Sequence, residues 1–279
     1  MTLNDAIVAA TAQLKNSSST PALDAQVLLA HALERDRTYI IAHARDVLDS
    51  ENQKQFQQLV AQRIDGAPVA YLTGRQEFWS LPINVTPDTL IPRPETELLV
   101  ELALEKIPQE KEFQVADIGT GSGAIALAIA SERKHSRVVA SDSSQEAIRG
   151  AQENARQLGI PNIEFTAGSL FEPFVDRKFN LIVSNPPYVP ENDPHLLEGD
   201  VRFEPRGALA AGPDGLDVIR RLVEDVGRYL LPGGWLLIEH GYDQEASIGE
   251  LFQQAGFEEI ECYRDLAGQP RVTIGRRPL

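Results

Sequence analysis

The sequence predicts an α/β protein built on a doubly wound, mainly parallel sheet, with a small helical domain ahead of it. Three observations carry this expectation. From residue 111 onward, short apolar runs alternate with segments whose apolar residues recur at helical spacing, the pattern of strand, crossover helix and parallel strand. From Leu3 to Arg63 the apolar residues keep the helical period alone, with no strand-like alternation. The first strand-like run of the later part opens into a glycine-rich turn, Gly119-Thr120-Gly121-Ser122-Gly123, at the place where such sheets receive ligands.

Composition sets the outer bounds. With 279 residues, 42% hydrophobic and 24% charged, the chain can form one larger domain and a small companion. A formal net charge of −15 weighs against a broad basic surface that grips nucleic-acid phosphates, so no direct DNA binding is expected. Cys262 stands alone, which rules out an intrachain disulfide or a cysteine-rich zinc site and suits a reducing compartment. No apolar stretch approaches the roughly twenty residues a membrane helix needs, and Met1 to Asp5 lacks a basic start and an apolar leader region. A cytoplasmic, membrane-free protein is expected, and a monomer.

Taken in order, residues 1–74 read as an N-terminal helical bundle of about five short helices, the kind of module that binds a substrate or closes over a site. Leu23, Val27 and Leu28, then Phe56, Leu59 and Val60, mark its apolar stripes. Thr20-Pro21 is a helix start with proline near the first helical position. Ser50-Glu51-Asn52-Gln53 matches a capping box with Ser50 as the cap. Residues 75–110 read as a hairpin linker and approach loop: Glu77 to Val85 resembles two short strands around a turn, and Ile91-Pro92-Arg93-Pro94-Glu95-Thr96-Glu97 is stiffened by two prolines ahead of a helix over 98–104. The acidic residues of that loop suit either the positive end of the helix or a ligand. The final domain spans 111–279, with strands expected at 114–117, 137–141, 163–166, 180–184, 235–239, 258–263 and 271–275. Its plainest helices are 124–131, 145–158 and 216–230.

Two motifs carry chemistry. In the first, glycines let the backbone of residues 119–123 pass close to a ligand, and Asp142 ends the next strand about twenty residues on, where a carboxylate can accept both hydroxyls of a ribose. Gly119 to Ala124 also satisfies G-x-G-x-x-A, so the glycines alone do not separate a nicotinamide dinucleotide from S-adenosylmethionine. Asp117 favours the latter, since a carboxylate beside the turn suits a sulfonium and an ammonium better than a pyrophosphate. The second motif is Asn185-Pro186-Pro187-Tyr188, which stops the apolar run Phe179-Asn180-Leu181-Ile182-Val183. Its two prolines forbid both helix and ladder, so the asparagine amide and nearby carbonyls stand on a stiff, irregular backbone beside the flat ring of Tyr188. Such a pocket suits a planar amide or amino group, and its place after the fourth strand puts it at the same sheet edge as the glycine turn. His31, His43, His135, His195 and His240 show no metal-binding spacing, and no G-x-S-x-G elbow is present; no metal is expected.

Beyond these motifs, the chain resembles the HemK/PrmC family, the bacterial peptide chain release factor protein-(glutamine-N5) methyltransferases. The resemblance runs nearly end to end. It is carried by Tyr71-Leu72-Thr73-Gly74-Arg75, Ile91 to Glu97, Asp117 to Gly123, Asn185 to Tyr188, Asp200-Val201-Arg202-Phe203-Glu204-Pro205, and the closing stretch Arg264 to Val272. It implies a class I S-adenosylmethionine-dependent methyltransferase domain, a seven-stranded Rossmann-like sheet whose last two strands form an antiparallel pair. By the matching motifs, Gly119, Thr120, Gly121, Ser122 and Gly123 would hold the methionine part of the cofactor, Asp142 its ribose and Leu170 its adenine, with Asn185 beside the methyl group. Many relatives carry an acid where this chain has Ser169. The substrate implied is the glutamine of the Gly-Gly-Gln tripeptide in class I release factors, bound by Asn185, Pro186, Pro187 and Tyr188, with S-adenosylhomocysteine as product. In that mechanism the amide N–H groups donate to the Asn185 side-chain oxygen and the Pro186 carbonyl, while Tyr188 packs on the amide. Asp200 to Pro205 reads as a loop near the active crevice, suited equally to a structural role or to substrate contact, and Asp265, Gly268 and Arg271 read as the turn between the final strands. Two alternatives stay open at this stage. One is a DNA or RNA amino-methyltransferase that flips a base into the same pocket, for which the acidic helical module offers no Lys/Arg-rich reading surface. The other is a noncatalytic module that docks on translation proteins, against which the intact cofactor turn and Asn185 to Tyr188 weigh.

Overall fold

The computed structural model describes residues 1–279 and resolves into two compact units. One comprises Met1–Arg75 together with Leu197–Phe203; the other comprises Gln76–Leu196 and Glu204–Leu279.

The first unit contains α1 (Leu3–Leu14), α2 (Pro21–Ala32), α3 (Arg37–Ala42), α4 (Ser50–Ile64) and α5 (Val69–Thr73). Leu14, Leu28, Leu29, Ile40, Phe56 and Val60 form its core. The helix starts are written in side chains. Thr2 and Asp5 make a reciprocal capping box on α1, and Pro21 opens α2 after Thr20. At α4 the cap is Asp49 rather than Ser50: its carboxylate accepts from the N–H groups of Glu51 and Asn52, and Ser50 is already the first helical residue. A charged acceptor at the positive helix end outcompetes a hydroxyl one residue later. Arg63, on α4, is buried, with its Nε donating to Asp24 Oδ2 at 2.8 Å and its Nη1 donating to Asp200 Oδ1 at 2.6 Å. Asp200 thus serves the charge balance of this unit.

From Gln76 the second unit opens within a hairpin whose strands are β1 (Arg75–Phe78) and β2 (Leu81–Asn84). Its two turn residues, Trp79 and Ser80, both sit in the left-handed region, with φ of 52° and 58°. A 3-10 turn, Pro94–Thr96, runs directly into α6 (Glu97–Lys106), slightly longer than the periodicity suggests. Glu97 accepts from the Trp79 backbone N–H at 2.8 Å, tying the hairpin turn to the helix start.

The sheet comprises β3 (Gln114–Ile118), β4 (Arg137–Asp142), β5 (Ile163–Ala167), β6 (Phe179–Ser184), β7 (Leu230–Glu239), β8 (Glu258–Arg264) and β9 (Pro270–Arg276), in the order β5-β4-β3-β6-β7-β9-β8. The first five run parallel, and β9 lies antiparallel between β7 and β8. Helices α7 (Ala124–Glu132), α8 (Gln145–Leu158), α9 (Asp217–Val226) and α10 (Glu245–Gln254) fall between strands. Leu181, Ile182 and Val183 are fully buried, as expected of a central parallel strand covered on both faces.

Strand order reverses at β3: β4 and β5 extend to one side, β6 and β7 to the other. That reversal opens a crevice at the carboxyl ends of β3 and β6. Register then fixes what lines it. Ile118 pairs with Ser141 on one side and Ser184 on the other, so Gly119, Asp142 and Asn185 are the next residues out on three adjacent strands. One expected element is shorter. The helix expected over 216–230 ends at Val226, and β7 starts at Leu230, running through Pro232-Gly233-Gly234 with a register shift against β6. Proline and glycine punctuate the sequence there, yet the strand absorbs them as a bulge. No helix is long and apolar enough to cross a membrane.

Candidate active site

The glycine turn is held from beneath by its own backbone and two carboxylates. The Ser141 carbonyl accepts from both Gly119 and Thr120 N–H at 2.8 Å, and Gly123 N–H donates to the Thr120 carbonyl at 2.9 Å. Gly121 N–H donates to Asp142 Oδ2 at 2.8 Å, while Asp142 Oδ1 accepts from Ser144 N–H at 2.9 Å. Asp117 takes the Thr120 hydroxyl at 2.6 Å, and the backbone of Ala126 in the first turn of α7 lies close enough to favour its ionised form. The amides of Gly119, Thr120, Gly121 and Gly123 are therefore already committed, and Asp142 lines the cavity where an anion would lie, while Asp117 is fully buried beneath the turn. Burial pushes the Asp117 carboxyl up to about 7, and its Oδ1 is buried with no partner.

The glycines have separate tasks. Gly119 and Gly121 have positive φ, and a Cβ built on either would meet open space within 4 Å, so they leave room for a ligand. A Cβ on Gly123 would lie 3.0 Å from the Ala151 Cβ of α8. That glycine permits close packing of turn on helix.

Across the crevice, the prolines end β6 as the sequence suggests. Asn185 Nδ2 donates to Thr96 Oγ1 at 3.2 Å, which leaves the Asn185 side-chain oxygen as a spare acceptor. Pro186 is buried and Pro187 half-buried. Tyr188 is turned the other way: its ring packs on the core behind the loop, and its hydroxyl donates to Glu239 Oε1 at 3.3 Å. Gln244 Nε2 donates to the Tyr188 carbonyl at 3.0 Å, and Gly215 approaches that carbonyl so closely that a Cβ would fall 2.2 Å from its oxygen.

One cavity of about 460 Å³ brings most of these residues together. Gly119, Thr120, Gly121, Ser122 and Asp142 line one side, Ser169 and Leu170 the edge, and Asn185, Pro186 and Pro187 the other side. Gly123 and Tyr188 are absent from its walls. Leu170 adopts a left-handed φ of 49°, and the Ser169 N–H donates to the Glu172 carboxylate at 3.1 Å, which shapes that edge. The Asp142 carboxylate beside an open glycine turn whose amides are already bonded fits a nucleoside ligand with a free ribose better than a pyrophosphate-bearing one.

Comparison with known proteins places this architecture. Residues 5–74 match the model of the PrmC N-terminal domain, and residues 95–197 match that of the methyltransferase small domain. The chain is 49% identical to the release factor glutamine methyltransferase of Vibrio cholerae serotype O1 over 99% of its length and 97% of that protein's. It is 47% identical to the protein of the same name from Coxiella burnetii, over 95% of each chain. The chain belongs to the release factor glutamine methyltransferase family. Among solved structures, a methyltransferase from Pyrococcus furiosus shares the fold at 19% identity, with a TM-score of 0.54 over 71% of this chain and 90% of that one. The second unit thus has the class I S-adenosylmethionine-dependent methyltransferase fold, and the chain is an enzyme of the methyltransferase class.

Several residues of this methyltransferase site had no assigned role in the sequence. Thr96 stands within a quoted motif, yet its hydroxyl is what anchors Asn185. Glu204 is buried, accepts from Ile91 N–H at 3.0 Å and forms an ion pair with Arg93, so it fixes the approach loop that leads Pro92 into the cavity wall. Glu239 ends an apolar strand at the carboxyl edge of the sheet, a placement that could have marked it from sequence. Asp88, Leu90 and Arg221 also line the cavity, from segments with no motif at all.

Proposed function

We propose that this enzyme methylates the side-chain amide nitrogen of the glutamine in the Gly-Gly-Gln motif of class I peptide chain release factors. The observation that carries the reading is the shared cavity: the open glycine turn with Asp142 on one side and the free acceptor of Asn185 on the other. The names borne by relatives nearly half identical over the whole chain support the choice of substrate.

S-adenosylmethionine, the methyl donor in this reading, supplies a methyl group on a sulfonium and leaves as S-adenosylhomocysteine. The turn 119–123 would take its methionine part, Asp142 the ribose hydroxyls and Leu170 the adenine. A glutamine amide nitrogen is a weak nucleophile because its lone pair is delocalised into the carbonyl. Asn185 and Pro186 answer that weakness by position. The Asn185 side-chain oxygen and the Pro186 carbonyl accept the two N–H bonds of the substrate amide, which fixes the nitrogen and holds it for in-line attack. Alignment of this kind contributes on the order of 7–11 kcal/mol in well-oriented systems. Pro187 and the buried Pro186 keep both acceptors rigid, and Tyr188 backs the loop from the core side. The helical unit, residues 1–74 in the sequence reading, is assigned to substrate binding; Val8, Ile41 and Val47 are exposed apolar side chains on it.

Incubation with labelled S-adenosylmethionine and, in parallel, a release factor, its Gln→Ala variant, DNA and RNA tests the reading. Label confined to the glutamine-containing release factor is the expected result. Label on nucleic acid would replace it with the amino-methyltransferase alternative, and no label on any acceptor would overturn it.

A further inference from the structure

Glu239 occupies a position that structure alone does not require. It lies at the carboxyl end of β7, next to the strand that ends at Ser184, which pairs with Ile238, so it is the in-register neighbour of Asn185. It is 1% exposed, and its Oε2 is buried without a partner. A buried carboxyl with an unsatisfied oxygen is costly, and an apolar residue at the end of this apolar strand would avoid that cost. What the carboxyl does have is two hydroxyl neighbours, each from one side of the acceptor loop. The Tyr188 hydroxyl donates to Oε1 at 3.3 Å, and the Thr96 hydroxyl lies near enough to the same carboxyl to favour its ionised form.

Thr96 is the hinge of the connection. Its single hydroxyl proton can go to one partner only. When that proton is given to the Glu239 carboxylate, the Thr96 oxygen is left to accept, and it accepts from Asn185 Nδ2. The Asn185 amide is then held with its nitrogen inward and its oxygen free. When the carboxyl is protonated, its own proton can go to Thr96, and the Thr96 hydroxyl then donates toward Asn185. That polarity draws the Asn185 oxygen inward and presents an NH2 group where an acceptor is wanted.

We propose that Glu239 is a positioning residue that sets the orientation of the Asn185 amide through the Thr96 hydroxyl, with Tyr188 braced on the same carboxyl. This rests on the proposed transfer to an amide nitrogen, and goes beyond it by naming the group that keeps the acceptor facing the substrate. The charged groups that face the assembly are few: Arg271 on β9, itself paired with Asp265 at 3.1 Å, favours the ionised carboxylate, Glu95 of the approach loop opposes it, and Arg93 faces Tyr188. Burial dominates and raises the Glu239 carboxyl to about 7. The switch from accepting to donating therefore falls in an accessible pH range.

The test combines kinetics with a substrate-free readout. In the wild type, kcat for release factor should rise with pH through an apparent midpoint near 7. Glu239→Gln should lose that limb and lower kcat by roughly 10- to 100-fold, with KM and the affinity for S-adenosylhomocysteine within about threefold of wild type, the signature of a group acting in the transition state. Thr96→Val should behave like Glu239→Gln, and Thr96→Ser, which restores the hydroxyl, should return both kcat and the limb. Independently of any substrate, the Asn185 side-chain amide resonances in selectively labelled full-length protein should shift with the same midpoint in wild type and not in Glu239→Gln. A flat Asn185 titration, or full kcat in Glu239→Gln or Thr96→Val, overturns the proposal. If the titration is present while release factor is not methylated, the relay stands and the substrate reading fails.

Discussion

At the scale of single residues, the site depends on acids held where acids are unstable. Asp117 is fully buried beside Asp142, and its carboxyl is raised from its ordinary value to about 7 mainly by desolvation, against the opposing effect of the Thr120 hydroxyl and the Ala126 backbone. A carboxyl whose folded value is raised binds more protons in the native state. Its contribution to stability is complete below the ordinary carboxylate range and is lost as pH rises toward 7. Asp117→Asn removes that dependence while keeping an acceptor for Thr120. Between pH 5 and pH 8 the variant should gain on the wild type by a few kcal/mol, at about 1.4 kcal/mol per pKa unit. Urea titrations at the two pH values measure this, and a difference that does not change with pH would contradict it. What the sequence showed at this scale was residue type and place: Asp117 beside the turn, Asp142 at a strand end, Asn185 before two prolines. What it could not show was direction. Tyr188 reads as a wall of the pocket, but its hydroxyl is claimed by Glu239, 51 positions away in the chain, and only the pairing of β6 with β7 creates that neighbour.

At the scale of elements, the supports of the glycine turn come from α8 and the hairpin. Asn154, buried on α8, donates to the Ser122 carbonyl at 2.9 Å and the Asn84 carbonyl at 3.0 Å, and its oxygen accepts from Asn84 N–H at 2.9 Å. One side chain thus satisfies three backbone groups in two elements. Asn154→Ala leaves them without partners and should cost roughly 2–4 kcal/mol, at about 1–3 kcal/mol for each buried unsatisfied group with partial relief by water. Chemical denaturation measures the loss; a change under about 0.5 kcal/mol would show that the turn does not rely on this bridge. The hairpin turn offers the opposite case. Ser80 is exposed and holds a φ of 58° without a glycine. Ser80→Gly should raise stability by about 0.5–1 kcal/mol and Ser80→Val should lower it, since a branched Cβ resists that conformation. The hairpin itself was legible from its alternating residues, but its left-handed turn was not, because Trp-Ser is not the chemistry that such turns favour. It is held by Glu97 at the start of α6, a tertiary contact.

At the scale of the whole molecule, pattern and charge were the most legible features. Alternation of strand and helix gave the parallel sheet, and the position of Asn185 to Tyr188 after the fourth strand gave the crevice. The pairing of the segment Leu197–Phe203 with the first unit was not legible, because it depends on Asp200 reaching Arg63 across 137 positions. The net charge of −15 belongs to this scale as well. Duplex DNA should show no measurable retention by the enzyme at about 150 mM salt, where binding relies on phosphate neutralisation by Lys and Arg. A salt-sensitive shift in a mobility assay at that ionic strength would contradict the prediction and reopen the nucleic-acid alternative.

On the proposed function, Asn185 aims an amide nitrogen and is not needed to hold the cofactor in place. Mass spectrometry of the release factor peptide that contains Gly-Gly-Gln, after incubation with S-adenosylmethionine and either wild type or Asn185→Ala, tests it directly when paired with calorimetry of S-adenosylhomocysteine binding. The expected result is one methyl group on the glutamine side-chain nitrogen with wild type, turnover lower by about two orders of magnitude or more with Asn185→Ala, and similar binding of S-adenosylhomocysteine by both proteins. Near-normal turnover by Asn185→Ala, or a methyl group found at another position, would contradict it.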